Sequence, residues 1–136
     1  MNYLLDTNVC IALINGSSSL ARRRYFQATA QKIIPQTSTI VAHELWYGVA
    51  KSNRVAQNAN RLNAFLTSAV AVLDFTEQDA LAAGEIRAEL EGQGQRIGEY
   101  DTLIAGQAFS KNLILVTANM REFGRVKGLV VEDWMV

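Results

Sequence analysis

Tyr3-Leu4-Leu5-Asp6-Thr7-Asn8-Val9-Cys10-Ile11-Ala12-Leu13-Ile14 decides the fold. Its first three residues are a short continuous apolar run, as in a strand buried on both faces. The polar triad Asp6-Thr7-Asn8 interrupts it. Six apolar residues then predict a helix over 9–14, ended by Asn15-Gly16. A carboxylate therefore sits where a buried strand hands over to a helix. A bare charge is costly there unless it is paired or holds a metal ion.

The same alternation continues outward. A helix runs from the cluster Ser17-Ser18-Ser19 to about Ala30. Ile33-Ile34-Pro35-Gln36-Thr37 reads as a strand, weakened by Pro35, which donates nothing to a ladder. Ser38 or Thr39 caps a helix that carries His43-Glu44-Leu45-Trp46-Tyr47. Helices over 54–67, 76–91 and 99–110 alternate with strands over 70–73 and 113–116, and a last strand falls at 129–131. The order implies an α/β fold, three layers α/β/α around a mostly parallel central sheet, in one domain spanning 1–136.

Composition agrees with one ordinary domain. The chain has 136 residues, 49% hydrophobic and 19% charged, enough for one core. Thirteen Lys plus Arg balance thirteen Asp plus Glu, so no global polyanion affinity is advertised. One cysteine, Cys10, excludes an internal disulfide and is compatible with a reducing cytoplasm. The start of the chain lacks the basic region of a signal peptide, and no apolar run reaches the length of a membrane span.

Four polar residues stand where polar residues should be rare: Asp6, Glu44, Asp101 and Asn119. Asp101 shares a helical stripe with Ile104, Ala105, Ala108 and Phe109. Glu44 borders the stripe of Ile40, Val41 and Leu45. Asp6 follows the first strand, and Thr117 and Asn119 follow the strand at 113–116. In open α/β sheets the binding crevice lies at the carboxyl ends of the strands. Several carboxylates meeting there, with few basic residues beside them, suggest a divalent-cation site.

Each residue also has a plainer reading. Asp6 is then a helix cap, Glu44 a partner of an arginine such as Arg87, Asp101 a dipole-compensating residue in a first helical turn, and Asn119 a turn residue. His43 neighbours Glu44 but faces another way, on the helix surface. Cys10 reads as a buried structural thiol, Arg22-Arg23-Arg24 as a solvated helix face, and Trp134 as packing over the last strand. Trp46 and Tyr47 are either core or an exposed patch for a partner.

Six segments carry a family resemblance: Leu5-Asp6-Thr7-Asn8, HELWYG at 43–48, IRAEL at 86–90, IGEYDTLIAGQA at 97–108, VTANMREF at 116–123 and VEDW at 131–134. Together they make the chain similar to PIN-domain endoribonucleases of the VapC toxin type. The resemblance implies a Mg²⁺- or Mn²⁺-dependent ribonuclease, the toxin of a toxin–antitoxin pair, that cuts RNA and inhibits translation. It carries over Asp6, Glu44 and Asp101 as the acidic metal site, with Asn119 and Thr117 as supporting catalytic positions. Asp6 and Asp101 would bind the ion directly, and Glu44 directly, through water, or by orienting the nucleophile. Thr117 and Asn119 would hold water or the Asp6 carboxylate.

A VapB-like antitoxin, a homodimer and cytoplasmic residence are also implied. So is a looped RNA substrate, with tRNA favoured. The Trp46-Tyr47 pair suggests that part of the antitoxin's docking groove lies beside Glu44. Two departures stand out. Glu99 replaces a frequent proline and either balances the helix dipole or adds a carboxylate near the metal. Asn119 is neutral where an acid is frequent. A haloacid-dehalogenase-like phosphatase would need a second aspartate where this chain has Asn8. A silent PIN-like binding domain would not need Asp6, Glu44 and Asp101 together.

Overall fold

A computed structural model describes all residues, 1–136. Five parallel strands, β1 (Tyr3–Leu5), β2 (Gln36–Ser38), β3 (Ala71–Leu73), β4 (Ile114–Val116) and β5 (Val131–Glu132), form one sheet in the order β3-β2-β1-β4-β5. Seven helices complete a three-layer α/β/α architecture: α1 (Thr7–Asn15), α2 (Ser19–Ala30), α3 (Thr39–Ala50), α4 (Val55–Ser68), α5 (Glu77–Gly92), α6 (Glu99–Ser110) and α7 (Met120–Phe123). The all-parallel sheet meets the expected fold class, and crossover helices explain why its central strands are buried. Leu4, Leu5, Leu115 and Val116 are completely buried.

The strand order places the switch point beside β1. The chain moves from β1 to β2 on one side and later to β4 on the other. Leu5 pairs with Val116, and the Asp6 N–H donates to the Val116 carbonyl at 3.0 Å. The residues following β1 and β4 are thus held side by side at the carboxyl edge, where such sheets open a crevice.

Local chemistry explains the element ends. Asp6 caps α1 by accepting from the Val9 N–H at 3.1 Å, and Gly16 closes it at φ 67°, where a side chain would be strained. Thr76 and Asp79 form a reciprocal capping box on α5. The Asp79 carboxylate also takes the Lys111 ammonium at 3.2 Å, which ties α5 to the end of α6. These two helices approach so closely that a Cβ on Gly106 would lie 2.6 Å from the Ala83 backbone.

Several boundaries differ from the sequence reading. The second strand starts at Gln36, after Pro35, instead of spanning 33–37. With no N–H of its own, Pro35 contributes only its carbonyl, which accepts from Ala71. The last strand falls at 131–132, slightly after the expected 129–131. The one-turn α7 is unforeseen, because four residues carry no readable periodicity. Phe109, placed on the inward stripe of α6, is 49% exposed.

Candidate metal centre

The segments that follow β1 and β4 bring polar groups together at the switch point. Asp6 is only 6% exposed, although it carries an acid group. Burial raises its pKa, and the Glu44 carboxylate adds to that rise. The Thr117 hydroxyl and the backbone N–H groups of Val9 and Asn8 pull it back without cancelling it. Thr117 is itself fully buried, and its oxygen accepts from the Asn119 N–H at 3.0 Å.

Asp101 enters from the first turn of α6 and Glu44 from the middle of α3. Burial lifts the Asp101 carboxyl to about 6, reinforced by the charges of Glu122, Asp6 and Glu44. The structure thus places Asp6, Glu44 and Asp101 within electrostatic reach of one another, across three elements.

Glu122 is the residue that sequence reasoning missed. It lies on α7, and its charge and hydrogen-bonding influence on Asp101 rank just behind burial. Asn119 donates from Nδ2 to Glu122 Oε2 at 3.1 Å and accepts the Glu122 N–H at 3.4 Å. Asn119 was expected to hold water or Asp6. Its side chain instead caps α7 and aims Glu122. The spacing Asn119-x-x-Glu122 resembles a capping box and was the available signal.

The plainer readings can now be compared with geometry. Four ion pairs are present, Arg24–Glu132, Arg87–Glu91, Arg96–Glu99 and Lys111–Asp79, and none involves Asp6, Glu44, Asp101 or Glu122. Arg87 is thus engaged elsewhere and does not neutralise Glu44. Asp6 caps α1, as its plain reading held, but that uses only one oxygen. Glu99 points outward with its side chain 73% exposed and faces Arg96, so it adds no carboxylate to the centre. Arg24 leaves the solvated face expected of it, pairing with Glu132 at 2.7 Å and lying over the buried Trp134 ring.

The donor set fits a hard divalent ion. It consists of oxygen ligands with no competing cation, and the Thr7 hydroxyl beside Asp6 is buried without a partner. Asp6 and Asp101 are the expected direct ligands, with Glu44 binding directly, through water, or orienting the nucleophile; an ion that retains several waters needs only one or two direct carboxylates. Elsewhere, burial pushes the Cys10 thiol up to about 12, which makes it the inert structural thiol expected.

An α/β/α fold that gathers acidic groups at the switch point of a parallel sheet is the framework of a class of enzymes that use a divalent ion, and this chain's relatives narrow that class to nucleases. The PIN-domain profile matches residues 3–129. The tRNA(fMet)-specific endonuclease VapC of Salmonella typhimurium (strain LT2) is 40% identical over 134 residues, covering 98% of each chain. The VapBC2 structure from Rickettsia felis, bound to a promoter DNA fragment, matches with a TM-score of 0.90 and 38% identity over 98% of this chain and 99% of that one. VapBC-1 from nontypeable Haemophilus influenzae matches over 100% of both chains at a TM-score of 0.85 and 33% identity. The chain belongs to the PIN-domain family, among the VapC ribonucleases of toxin–antitoxin systems. Nucleases of this kind are generally dependent on a divalent metal ion.

Proposed function

We propose that this chain is a Mg²⁺- or Mn²⁺-dependent endoribonuclease toxin whose centre is built from Asp6, Asp101, Glu44 and Glu122. The crowding of acidic groups at the switch point, with no paired cation, carries this reading. Asp6 and Asp101 hold the ion, and Glu44 and Glu122 orient its waters. Thr117 fixes the Asp6 carboxylate, and Asn119 fixes Glu122. A divalent ion bound there supplies an activated water and neutralises charge on the scissile phosphate.

The substrate we infer is a looped RNA, with tRNA favoured because a 40% identical relative is a tRNA(fMet)-specific endonuclease. Sequence-specific recognition of RNA mostly targets loops whose bases can splay out. A chain with equal numbers of acidic and basic residues has no indiscriminate grip on polyanions. Cutting such an RNA inhibits translation. An RNA substrate and an antitoxin partner of this kind support residence in the cytoplasm. No helix is long and apolar enough to cross a membrane.

The partner we infer is a VapB-like antitoxin. A groove of about 270 Å³ lies between α1, α3 and α4, with an apolar side of Ile11, Ile14, Leu45, Val49 and Leu62 and a polar side that includes Glu44, Asn58 and Arg61. This groove, which Glu44 helps to line and which Trp46 and Tyr47 do not, is the docking site we infer. An antitoxin segment with an apolar stripe fills it, and a basic side chain reaches the carboxylates next door. Incubating total RNA with protein and Mg²⁺, then mapping new ends, tests the function. Discrete cuts in one or a few loops support it. Uniform degradation, or cleavage of duplex DNA alone, rejects it.

A further inference from the structure

The face of α3 turned away from the apolar groove carries rings that the core does not use. His43 is exposed, and its ring lies 5.8 Å from that of Tyr100, tilted by 37°. Tyr100 is 48% exposed at the start of α6. Each ring stands one residue before a carboxylate of the centre, His43 before Glu44 and Tyr100 before Asp101. One helical turn along α3 from His43, Tyr47 is 61% exposed. One turn further, the Lys51 ammonium lies 4.6 Å from the Tyr47 ring centroid. Positions 43, 47 and 51 follow one ridge of the helix surface, so the rings form a row along α3 whose His43–Tyr100 end is one residue from Glu44 and Asp101 in sequence.

We propose that this ridge is a base-stacking track for single-stranded RNA. One base lies on the His43–Tyr100 pair and a neighbouring base on Tyr47, while Lys51 meets a backbone phosphate. The phosphodiester adjoining the first base is thereby delivered to the acidic centre. The proposal rests on the ribonuclease reading and deepens it by naming residues that choose and place substrate.

Physical reasons favour RNA here over an apolar protein segment. An acidic centre repels a phosphodiester, and the chain carries no net positive charge to offset this. Contacts that ignore charge therefore add to the grip, and stacking on aromatic faces is one. The ridge carries exposed rings beside a cation, whereas no aromatic side chain lines the groove on the other side of α3. His43 acts here as a positioning residue and takes no part in the chemistry.

The test uses the full chain carrying Asp101→Asn, so that RNA survives, and a single-stranded RNA with 2-aminopurine as its reporter base. Stacking quenches this base. His43→Ala, Tyr100→Ala and Tyr47→Ala should each weaken binding by about fivefold or more and lose the quench. His43→Phe and Tyr100→Phe should restore both, because a ring suffices. Phe26→Ala, a 59% exposed ring on α2, should change neither. With Asp101 restored, the alanine variants should raise KM while kcat is retained. Unchanged affinity and quench in the alanine variants would overturn the proposal. So would a loss that phenylalanine does not rescue and that sedimentation traces to dissociation of two copies. Quenching that persists in a chain unable to cut any RNA would sink the ribonuclease reading and leave the track standing.

Discussion

Asn119 and Glu122 hold each other by two reciprocal hydrogen bonds, Nδ2 to Oε2 at 3.1 Å and the Glu122 N–H to Oδ1 at 3.4 Å. Asn119 is neutral and carries no carboxylate of its own. It fixes one, three residues on, that presses on Asp101. Glu122→Gln should keep the fold and lower cleavage by about 10- to 100-fold, as loss of an orienting group does. The Asp101 pKa, followed by carboxyl NMR, should fall in the same variant. Full activity with an unmoved Asp101 would remove Glu122 from the centre.

The pH dependence has a definite sign. Burial and neighbouring charges hold the folded Asp101 at about 6, against 3.8 for an unperturbed aspartate. The folded chain therefore binds this proton more tightly than the unfolded one. The resulting stabilisation is fully present below about pH 4 and is lost as pH rises through 6. Denaturant melts of metal-free protein should show wild type losing stability relative to Asp101→Asn between those values. A difference that is flat, or that grows the other way, would contradict the crowding on which the centre rests. Metal affinity should rise over the same window, because the ion displaces the proton.

Packing of α5 against α6 positions Asp101 from below. Gly106→Ala puts a methyl group 2.6 Å from the Ala83 backbone, so one helix must shift. Overpacking of this kind costs about 1–3 kcal/mol, more than the helix propensity gained, and the melting temperature should fall. An unchanged melt would mean that the two helices slide freely and do not fix the centre.

The groove between α1, α3 and α4 makes its own prediction. Co-expression with the adjacent small open reading frame should give a complex on pull-down. Val49→Asp, which puts a carboxylate on the apolar side of the groove, should abolish co-purification without altering the circular dichroism spectrum. Retention of the partner by this variant would place the antitoxin elsewhere.

Much of this fold was legible because its signals were local. Leu4 and Leu5 in β1, and Leu115 and Val116 in β4, form apolar runs, and Asp6 and Asp101 interrupt apolar patterns at points where a crevice could form. What escaped were features set by neighbours. The start of β2 depends on how Pro35 meets β3, and α7 exists because Asn119 caps it. Glu122 looked like one more charge in a polar stretch, since nothing in its own segment reveals that Asp101 lies opposite. The plain dismissal of His43 as a catalyst stands with its surface position, although its ring partner Tyr100, 57 residues away, could not be seen from sequence.

The central claim is that Asp6 and Asp101 hold the divalent ion with which this chain cuts RNA. The most direct measurement is Mn²⁺ binding by electron paramagnetic resonance, run beside cleavage of one RNA, for wild type, Asp6→Asn and Asp101→Asn. All three should fold, since removing a like charge relieves repulsion. Wild type should bind Mn²⁺ and cut discretely, and both variants should lose the bound signal and the cleavage together. Cleavage that survives chelation of all metal, or that continues in folded Asp101→Asn, would contradict the account.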